Sequence, residues 1–468
     1  MKRVLSILFT LVLSAFIVSC NKEKEPEEKT VPDYAVYIKT LSADGIPAEY
    51  DEATKTFTVT TPTKTDFSKV NISYSFAAHE IFADDVQLPN EGAILDISKP
   101  VKLTIKCLNV TKDYTLVARN TGLPVVRITT PGYASITSKT VWMSGATIRV
   151  ELPDGTVDYE GPMSIRGRGN STWNYPKKPF AIKLESKEKV LSMPKHKRWV
   201  LLANWKDRTL LRNDAAFWLS RQSGLDYTVR GQFVELELNG KHIGNYYLCE
   251  QIKIDKNRVN VQDGGFLMEL DTYFDEVNKF TSPYFKLPYQ FKEPDEEELT
   301  QEQFDYMKSY VTNLESILKD EERVRNHEYE QYLDVDSAID YMFVNELANN
   351  TDYYGTWPSV GPHSCYMYKD VDGPLMTGPV WDFDYHGFVP GFSNQWVGAK
   401  GTLYYKALYK DEKFRERMME KWSEEKAKFA DLPAYIDEMA EKIRLSESIN
   451  HSKWPIKNNP ENGDEDMT

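Results

Sequence analysis

Ten consecutive residues in the first half of the chain form its densest local pattern: Ser164-Ile165-Arg166-Gly167-Arg168-Gly169-Asn170-Ser171-Thr172-Trp173. Two arginines alternate with two glycines, and three short polar side chains follow. Glycines let backbone N–H groups approach an anion closely, and a guanidinium group binds phosphate oxygens through two parallel hydrogen bonds. The pattern therefore predicts that residues 166–171 bind phosphate or carboxylate. The alternative is a glycine turn whose arginines pair with acidic residues of the same protein.

A short strand pattern follows this loop at Phe180-Ala181-Ile182-Lys183-Leu184. The apolar neighbours on both sides of Lys183 indicate a half-buried strand, in which a lysine needs an anionic partner. A nucleotide phosphate or a helix carboxylate would serve as that partner. An ordinary lysine on an edge strand is the alternative interpretation.

Carboxylates are concentrated at two places in the second half of the chain. Asp352 follows an apolar helical pattern, and Asp382 and Asp384 follow the apolar residues Val380 and Trp381. Side chains at positions i and i+2 of a strand point the same way, so Asp382 and Asp384 share a face. With Asp352 they could hold one or two Mg²⁺ ions and leave a base to orient a hydroxyl group. Solvated acidic turn residues are the alternative for each aspartate taken singly.

The hydrophobic periodicity changes along the chain and divides it into segments. Residues 34–120 alternate apolar and polar positions in short runs, which predicts a small all-β sandwich of immunoglobulin type, serving as a spacer or binding module. Residues 121–256 are also strand-rich, with a helix at about 210–224 and a hairpin turn at Asn239-Gly240. From about 295 to 468 the spacing indicates helices. We therefore predict an α+β protein in which a strand-rich lobe and a helical lobe flank a ligand cleft.

The composition describes a large acidic chain. Of 468 residues, 57 are Lys or Arg and 71 are Asp or Glu, so the formal net charge is −14, and 41% of the residues are hydrophobic. These values indicate a folded protein of roughly three units and exclude a disordered tail protein and a multi-span membrane protein. Nucleic acid is not an expected partner, because an acidic surface repels polyanions unless a local basic patch overrides it. Hydrolase motifs such as G-x-S-x-G and H-E-x-x-H are absent from the sequence.

The first 20 residues have the features of an export signal. Two basic residues precede an apolar run from Val4 to Val18, which is too short to span a bilayer comfortably, and Cys20 follows. This pattern predicts a lipoprotein signal peptide over residues 1–20, whose cleavage leaves Cys20 for acylation and membrane attachment. An ordinary signal peptide with a chance cysteine is the alternative. Residues 21–33 are mostly charged, which predicts a solvated tether.

These patterns, taken in order, resemble the CotH family, the spore-coat protein H type of atypical protein kinase. The resemblance covers about residues 123–450 and depends on several motifs together: residues 166–173, 178–184, 204–207 with 211–213, 244–252 and 381–384. The resemblance implies a divergent two-lobe fold of protein-kinase type. It also implies that ATP and Mg²⁺ or Mn²⁺ are used to phosphorylate Ser or Thr of a protein substrate.

The resemblance implies roles for individual residues as well. Lys183 would pair with the nucleotide phosphates, and Asp352 would be the catalytic base or would orient the hydroxyl group. Asp382 would bind the metal ion, and Trp381 would offer its ring to the adenine.

One departure from the family pattern leaves a second function open. Family members commonly carry an asparagine metal ligand where this chain has Ser364, so metal binding would depend on Asp384. A hydroxyl group is the weaker Mg²⁺ ligand. The alternative is a catalytically degenerate kinase-fold scaffold that binds surface proteins or glycans. Four tryptophans would then be stacking platforms for sugars: Trp173, Trp199, Trp205 and Trp357.

The tether also resembles the export signal that follows the acylated cysteine in surface lipoproteins of Bacteroidetes-type bacteria. This resemblance predicts an outer-membrane lipoprotein that faces outward, with inward-facing placement as the alternative. Free ATP is scarce outside cells, which strengthens the scaffold interpretation.

Overall fold

The computed structural model describes residues 37–76, 80–354, 361–385, 387–388 and 403–455. The chain forms two compact units. Among the described residues, one unit contains those up to Val59 and those of Phe67–Ala118, and the other contains Thr60–Asp66 and those from Arg119 onward. The sequence predicted a boundary at residue 120, and the division into compact units falls between Ala118 and Arg119, with Thr60–Asp66 assigned to the second unit. The predicted signal peptide, Cys20 and the tether lie outside the described residues.

The first unit consists of short strands: β1 Ile38–Ala43, β2 Ile46–Pro47, β3 Glu49–Asp51, β4 Thr56–Thr60, β5 Val70–Phe76, β6 Glu80–Ala83, β7 Val86–Gln87, β8 Ala93–Leu95, β9 Val101–Cys107 and β10 Val110–Arg119. They form two sheets, in the orders β2-β1-β5-β8 and β3-β4-β10-β9-β6-β7. Alternation of residue type builds the buried face. In β4, Phe57 and Val59 are buried and the threonines between and beside them are half-buried. Buried residues of both sheets form one cluster. The described residues of this unit contain strands and no helix, and its immunoglobulin type stays a prediction.

The second unit begins with a closed barrel. Its strands are β11 Val125–Thr129, β12 Met143–Glu151, β13 Val157–Gly167, β14 Phe180–Val190, β15 Met193–Leu202, β16 Gly231–Leu238 and β17 Lys241–Glu250. They are joined in the order β11-β12-β13-β14-β15-β17-β16, and parallel pairing of β11 with β16 closes the ring. Alternate residues point inward, and Ile148, Ile165 and Ile182 belong to the buried core.

Two local predictions about the barrel region are confirmed. Asn239 and Gly240 join β16 to β17 with φ of 53° and 74°, the left-handed backbone that Asn-Gly hairpin turns use. Helix α1, Arg212–Gln222, lies within the predicted helical stretch. The Asp207 carboxylate accepts a hydrogen bond from the Arg212 backbone N–H at 2.8 Å, which stabilises the start of this helix.

The rest of the second unit combines a sheet with helices. Its strands are β18 Phe266–Leu270, β19 Lys279–Thr281, β20 Pro288–Glu293, β21 Cys365–Lys369 and β22 Leu375–Thr377, in the order β19-β20-β18-β21-β22. Its helices are α2 Gln301–Lys319, α3 Glu321–Arg325, α4 Val335–Leu347, α5 Thr351–Tyr354, α6 Tyr405–Leu408, α7 Glu412–Phe429 and α8 Leu432–Lys453. The Asp334 side chain caps α4 by accepting from the Ser337 N–H, as its sequence predicted.

The mixed α+β class is confirmed, and one feature of its arrangement was not predicted. Strands β18, β19 and β20 lie between residues 256 and 295, a stretch that the sequence assigned to neither lobe. One hydrophobic cluster contains Val200 and Phe233 of the barrel together with residues of the five-stranded sheet and the helices. The similarity to a two-lobe kinase stays a prediction. No helix within the described ranges combines the length and hydrophobicity needed to cross a bilayer.

Candidate active site

A cavity of about 650 Å³ lies where the barrel meets the five-stranded sheet. The loop after β13 lines it from the barrel side, and residues at the end of β18 and before β21 line it from the sheet side. This volume is typical of a small-molecule site. Most of the residues predicted from the sequence are among its lining: Arg166, Arg168, Gly169, Asn170, Ser171, Asp352, Trp381, Asp382 and Asp384.

The two glycines of the loop have different roles. Gly169 has φ of 85°, and a Cβ at this position would lie 1.9 Å from the Thr172 hydroxyl oxygen. The turn into the cavity therefore requires glycine. Gly167 ends β13, where a Cβ would lie 2.1 Å from the Trp173 ring. It makes room for that ring and is not among the cavity-lining residues, contrary to the predicted role of Gly167 in anion binding.

Asp352 is placed by the chain that follows α4. The Asn350 side chain donates to Asn345 Oδ1 at 2.9 Å, and Asn350 Oδ1 accepts from the Asp352 N–H at 3.1 Å. Burial and the neighbouring Asp382 carboxylate raise the pKa of Asp352 to about 8. Asp352 is thus a buried acid next to a second acid, and both conditions disfavour its charged form.

The segment that carries Asp382 is held by a chain of buried amides. Asp382 has φ of 70°, a strained conformation for a residue with a side chain. The next N–H, of Phe383, donates to Asn213 Oδ1 at 2.8 Å, and Asn213 Nδ2 donates to Asn204 Oδ1 at 3.0 Å. Ser364 Oγ donates to Asp382 Oδ2 at 3.2 Å. The motifs around residues 204 and 213 thus act by fixing this carboxylate.

Asp382 and Asp384 are suited to a divalent cation. Burial raises the pKa of both carboxyl groups, and the Asp382 charge raises that of Asp384 further, well above its usual range. Within the described ranges, no three His, Cys, Asp or Glu side chains are already grouped to hold a metal ion. Mg²⁺ is usually bound by one or two carboxylates together with substrate phosphates. The residues present fit that mode, with Asp382 and Asp384 as the oxygen donors.

Two polar pairs of the cavity were missed by sequence reasoning. His363 Nδ1 lies 3.0 Å from Asp271 Oδ1, and Lys292 Nζ lies 3.1 Å from Glu269 Oε2. Burial opposes protonation of His363, but the hydrogen bond to Asp271 and its charge raise the pKa of this histidine. The available signal was that Glu269 and Asp271 lie at the end of an apolar strand. Their partners are distant in sequence, so the pairs themselves had no local pattern.

The basic residues on the barrel side are held in different ways. The Arg168 guanidinium lies 5.2 Å from the centre of the Trp381 ring, and its charge attracts Asp382. Lys139 donates to two oxygens of the glycine loop. Lys177 is fully buried and donates to the Asn245 carbonyl, and burial lowers the pKa of Lys177 to about 7. Arg168 is therefore the cation best placed for an anionic ligand, while the two lysines support the structure.

Lys183 does not line the cavity, contrary to the prediction. Its neighbours Ile182 and Leu184 point into the barrel, and Lys183 is exposed on the outer face of β14. There it lies opposite Arg198 of β15 and Ser164 of β13. The apolar pattern around Lys183 was thus produced by the barrel interior, whereas the lysine faces solvent.

The ring of Trp381 is also less available than predicted. It is 7% exposed, packs against Phe217 at a centroid distance of 5.9 Å, and is covered by Arg168. Little of the ring is left for an adenine base. Of the tryptophans considered as sugar platforms, Trp199 is buried in the barrel, and Trp357 lies outside the described residues.

The fold and the cavity define an α+β protein with a single site that is lined by both cationic and acidic side chains. A family model described as CotH kinase protein matches residues 165–466, more than half of the 468 residues. The chain therefore belongs to the CotH kinase protein family, which confirms the resemblance found in the sequence.

Comparisons with individual proteins add little to this assignment. A solved structure from Bacteroides thetaiotaomicron, provisionally described as a glycoside hydrolase, is 14% identical. The alignment covers 63% of this chain and 89% of that one, with a TM-score of 0.16. A TM-score this low carries no argument about fold or function. No curated protein matches the chain.

Proposed function

We propose that the second unit transfers the γ-phosphoryl group of ATP to a Ser or Thr hydroxyl of a protein, with Mg²⁺ or Mn²⁺ as cofactor. The observation that carries the proposal is that one cavity is lined both by the Arg168 cation and by the carboxylates of Asp352, Asp382 and Asp384. A triphosphate with a bound divalent cation has the complementary arrangement. Membership of the CotH kinase protein family supports the same reaction.

In this proposal the cavity residues act mainly by positioning and by charge. Arg168 and the backbone N–H groups of residues 169–171 bind phosphate oxygens. Asp382 and Asp384 hold the divalent cation, which supplies charge neutralisation at the phosphates when bound. Asp352 orients the acceptor hydroxyl group and accepts its proton.

The adenine is expected away from Trp381, because that ring is covered. The apolar part of the cavity lining offers another surface for a flat base: Ala181, Leu202, Ala203 and Ile252. Burial of the base against these side chains removes apolar area from water, which favours binding. An adenine-containing nucleotide should therefore bind more tightly than inorganic triphosphate.

The test is transfer of label from γ-labelled ATP to the protein itself or to a Ser-containing peptide, with Mg²⁺ or Mn²⁺. Asp352→Asn should lower kcat about 100-fold, because the amide cannot accept the hydroxyl proton. Asp372→Asn removes an exposed carboxylate outside the cavity and is the matched control, with the wild-type rate expected. Absence of ATP binding by calorimetry with either metal would refute the proposal.

A kinase-fold scaffold that binds surface proteins or glycans is the second candidate. Ser364 favours it, because a hydroxyl group is a weak Mg²⁺ ligand and this one already donates to Asp382. Binding of a surface protein or glycan, together with no binding of nucleotide, would support the scaffold function over phosphoryl transfer.

We also propose that Cys20 is acylated and attaches the protein to the outer membrane, facing outward. The sequence of residues 1–33 supports this placement. Cys20→Ser protein should leave the membrane fraction, and protease added to intact cells should digest the wild-type protein. Membrane retention of the variant would contradict the lipid anchor, and protection from protease would contradict the outward placement.

A further inference from the structure

A second group of cations lies on the outer face of the barrel, beside the cavity. Arg166 of β13 and Arg198 of β15 both stack on Trp142, with guanidinium carbons 4.7 and 4.8 Å from the ring centre. Lys183 pairs across strands with Arg198, so its side chain points to the same face. We call Trp142, Arg166, Lys183 and Arg198 the outer basic patch. Arg166 also lines the cavity, so the patch and the cavity share one residue.

The two arginines of the patch have donors without acceptors. Arg166 donates from Nη1 to the Thr140 carbonyl at 3.2 Å. Arg166 Nε and Arg198 Nη1, however, are shielded from solvent and have no hydrogen-bond partner. Leaving such a buried donor unsatisfied is unfavourable, more so when the group is charged. An anion beside Trp142 would be attracted by the charge of both guanidinium groups.

Acidic side chains near the patch are engaged by other cations. Glu276 attracts Arg166, but it forms its ion pair with Lys292. Asp295 and Glu293 attract Arg198, but they lie 3.3 and 2.6 Å from Lys253. The chain has a net charge of −14, so it has many acids that could have paired with the patch. Among the described residues, neither arginine forms an ion pair, and Lys183 beside them is exposed.

We propose that the outer basic patch binds an acidic segment of the protein substrate and directs the acceptor hydroxyl group into the cavity. This inference rests on the proposed phosphoryl transfer and adds the class of substrate. Guanidinium groups held on an indole ring are preorganised to bind carboxylates. Because Arg166 belongs to both surfaces, a polypeptide bound at the patch continues into the cavity. A patch of three cations on a strongly acidic protein is small for a nucleic acid.

Peptide binding tests the patch without requiring catalysis. The probe is a fluorescein-labelled peptide with one serine between two runs of four glutamates, and the comparison peptide has glutamine in place of each glutamate. Fluorescence anisotropy with the full chain, without nucleotide, should show tighter binding of the glutamate peptide. Arg198→Gln should weaken that binding about tenfold, because a charge-assisted hydrogen bond is lost. Lys195→Gln removes an exposed charge from the same strand outside the patch, and it should stay within about twofold of wild type.

Kinetics separate substrate recognition from a structural role of Arg198. The ratio of kcat/KM for the glutamate peptide to kcat/KM for the glutamine peptide should fall about tenfold in Arg198→Gln, through KM. A merely structural role would lower kcat for both peptides equally and leave the ratio unchanged.

Three results of the binding experiments would overturn the inference. The first is equal affinity of the wild-type protein for the two peptides, and the second is unchanged affinity of Arg198→Gln for the glutamate peptide. The third is sedimentation with phosphatidylglycerol vesicles that depends on Arg198 while the peptide does not bind, which would assign the patch to a membrane. Peptide binding without ATP binding would refute the proposed phosphoryl transfer but leave the proposed binding role of the patch intact. ATP-dependent transfer without preference for glutamate would refute the patch alone.

Discussion

Replacement of Asn213 by alanine should loosen the segment that carries Asp382. Asn213 is 1% exposed on α1, accepts from the Phe383 N–H at 2.8 Å and donates to Asn204 Oδ1 at 3.0 Å. Alanine removes both hydrogen bonds and leaves the volume of the amide group empty. The Phe383 N–H and the Asn204 oxygen then lose these partners inside the protein.

The size of the effect follows from these two groups. A buried donor or acceptor left unsatisfied costs about 1–3 kcal/mol, so the loss of both partners should lower the free energy of unfolding by about 2–6 kcal/mol. Asp382, with φ of 70°, keeps a conformation that costs about 1–3 kcal/mol only while its surroundings hold it. Without the bond from Phe383 to Asn213, this carboxylate should leave its position.

Urea denaturation measures the stability, and calorimetry with ATP and Mg²⁺ measures the site. We expect ATP affinity to fall about tenfold in Asn213→Ala. Asn313→Ala, at an exposed position of α2, is the control and should change stability by less than about 0.5 kcal/mol. Lower stability with wild-type ATP affinity would show that Asn213 does not position the site, and unchanged stability would refute the hydrogen-bond argument itself.

Three further predictions concern other parts of the second unit. Gly169→Ala should weaken ATP binding about tenfold in calorimetry, because alanine at φ of 85° costs about 1–2 kcal/mol; wild-type affinity would contradict the required turn. Burial lowers the pKa of His196 to about 4, and its Nδ1 accepts from the Arg198 N–H at 2.9 Å. The unfolded state, with a pKa of about 6.5, binds more protons between these values, so stability should fall by at most about 3 kcal/mol as the pH decreases from about 6.5 to about 4. In His196→Asn, which keeps a hydrogen-bond acceptor but has no ionisable group, urea denaturation should show a smaller loss of stability over the same pH range. A loss equal to that of the wild type would contradict this explanation. In Lys421→Met, the buried Asp340 loses the cation that lies 3.0 Å from it. The free energy of unfolding, measured by urea denaturation, should fall by about 3–5 kcal/mol. A variant as stable as the wild type would show that the ion pair is dispensable.

Elements defined by short-range interactions were predictable from the sequence. The Asn239-Gly240 hairpin follows from the left-handed backbone that these two residues adopt readily. Helix α4 follows from its apolar spacing and from the cap at Asp334. Each of these features depends on residues within a few positions of one another, so a local pattern carries the necessary information.

The candidate site was predictable only in part. The loop after β13 and the side chains of Asp352, Asp382 and Asp384 line one cavity, as their residue types suggested. Asn213 and the His363–Asp271 pair were missed, because their hydrogen bonds join residues 170 and 92 positions apart. Contacts of that separation leave no periodic trace in one sequence.

Residue type and spacing were sufficient for the α+β class and for the acidic and basic residues that line the cavity. Spacing could not establish which face of β14 and β15 meets the cavity. A period of two says that neighbouring side chains point to opposite faces, but it does not say which face lies inside. Closure of the barrel made that choice by burying Ile182, and it left Lys183 exposed and brought Arg198 next to Arg166 on Trp142. The choice of face depends on closure of the ring, which requires β11 to pair with β16, a strand distant in the sequence.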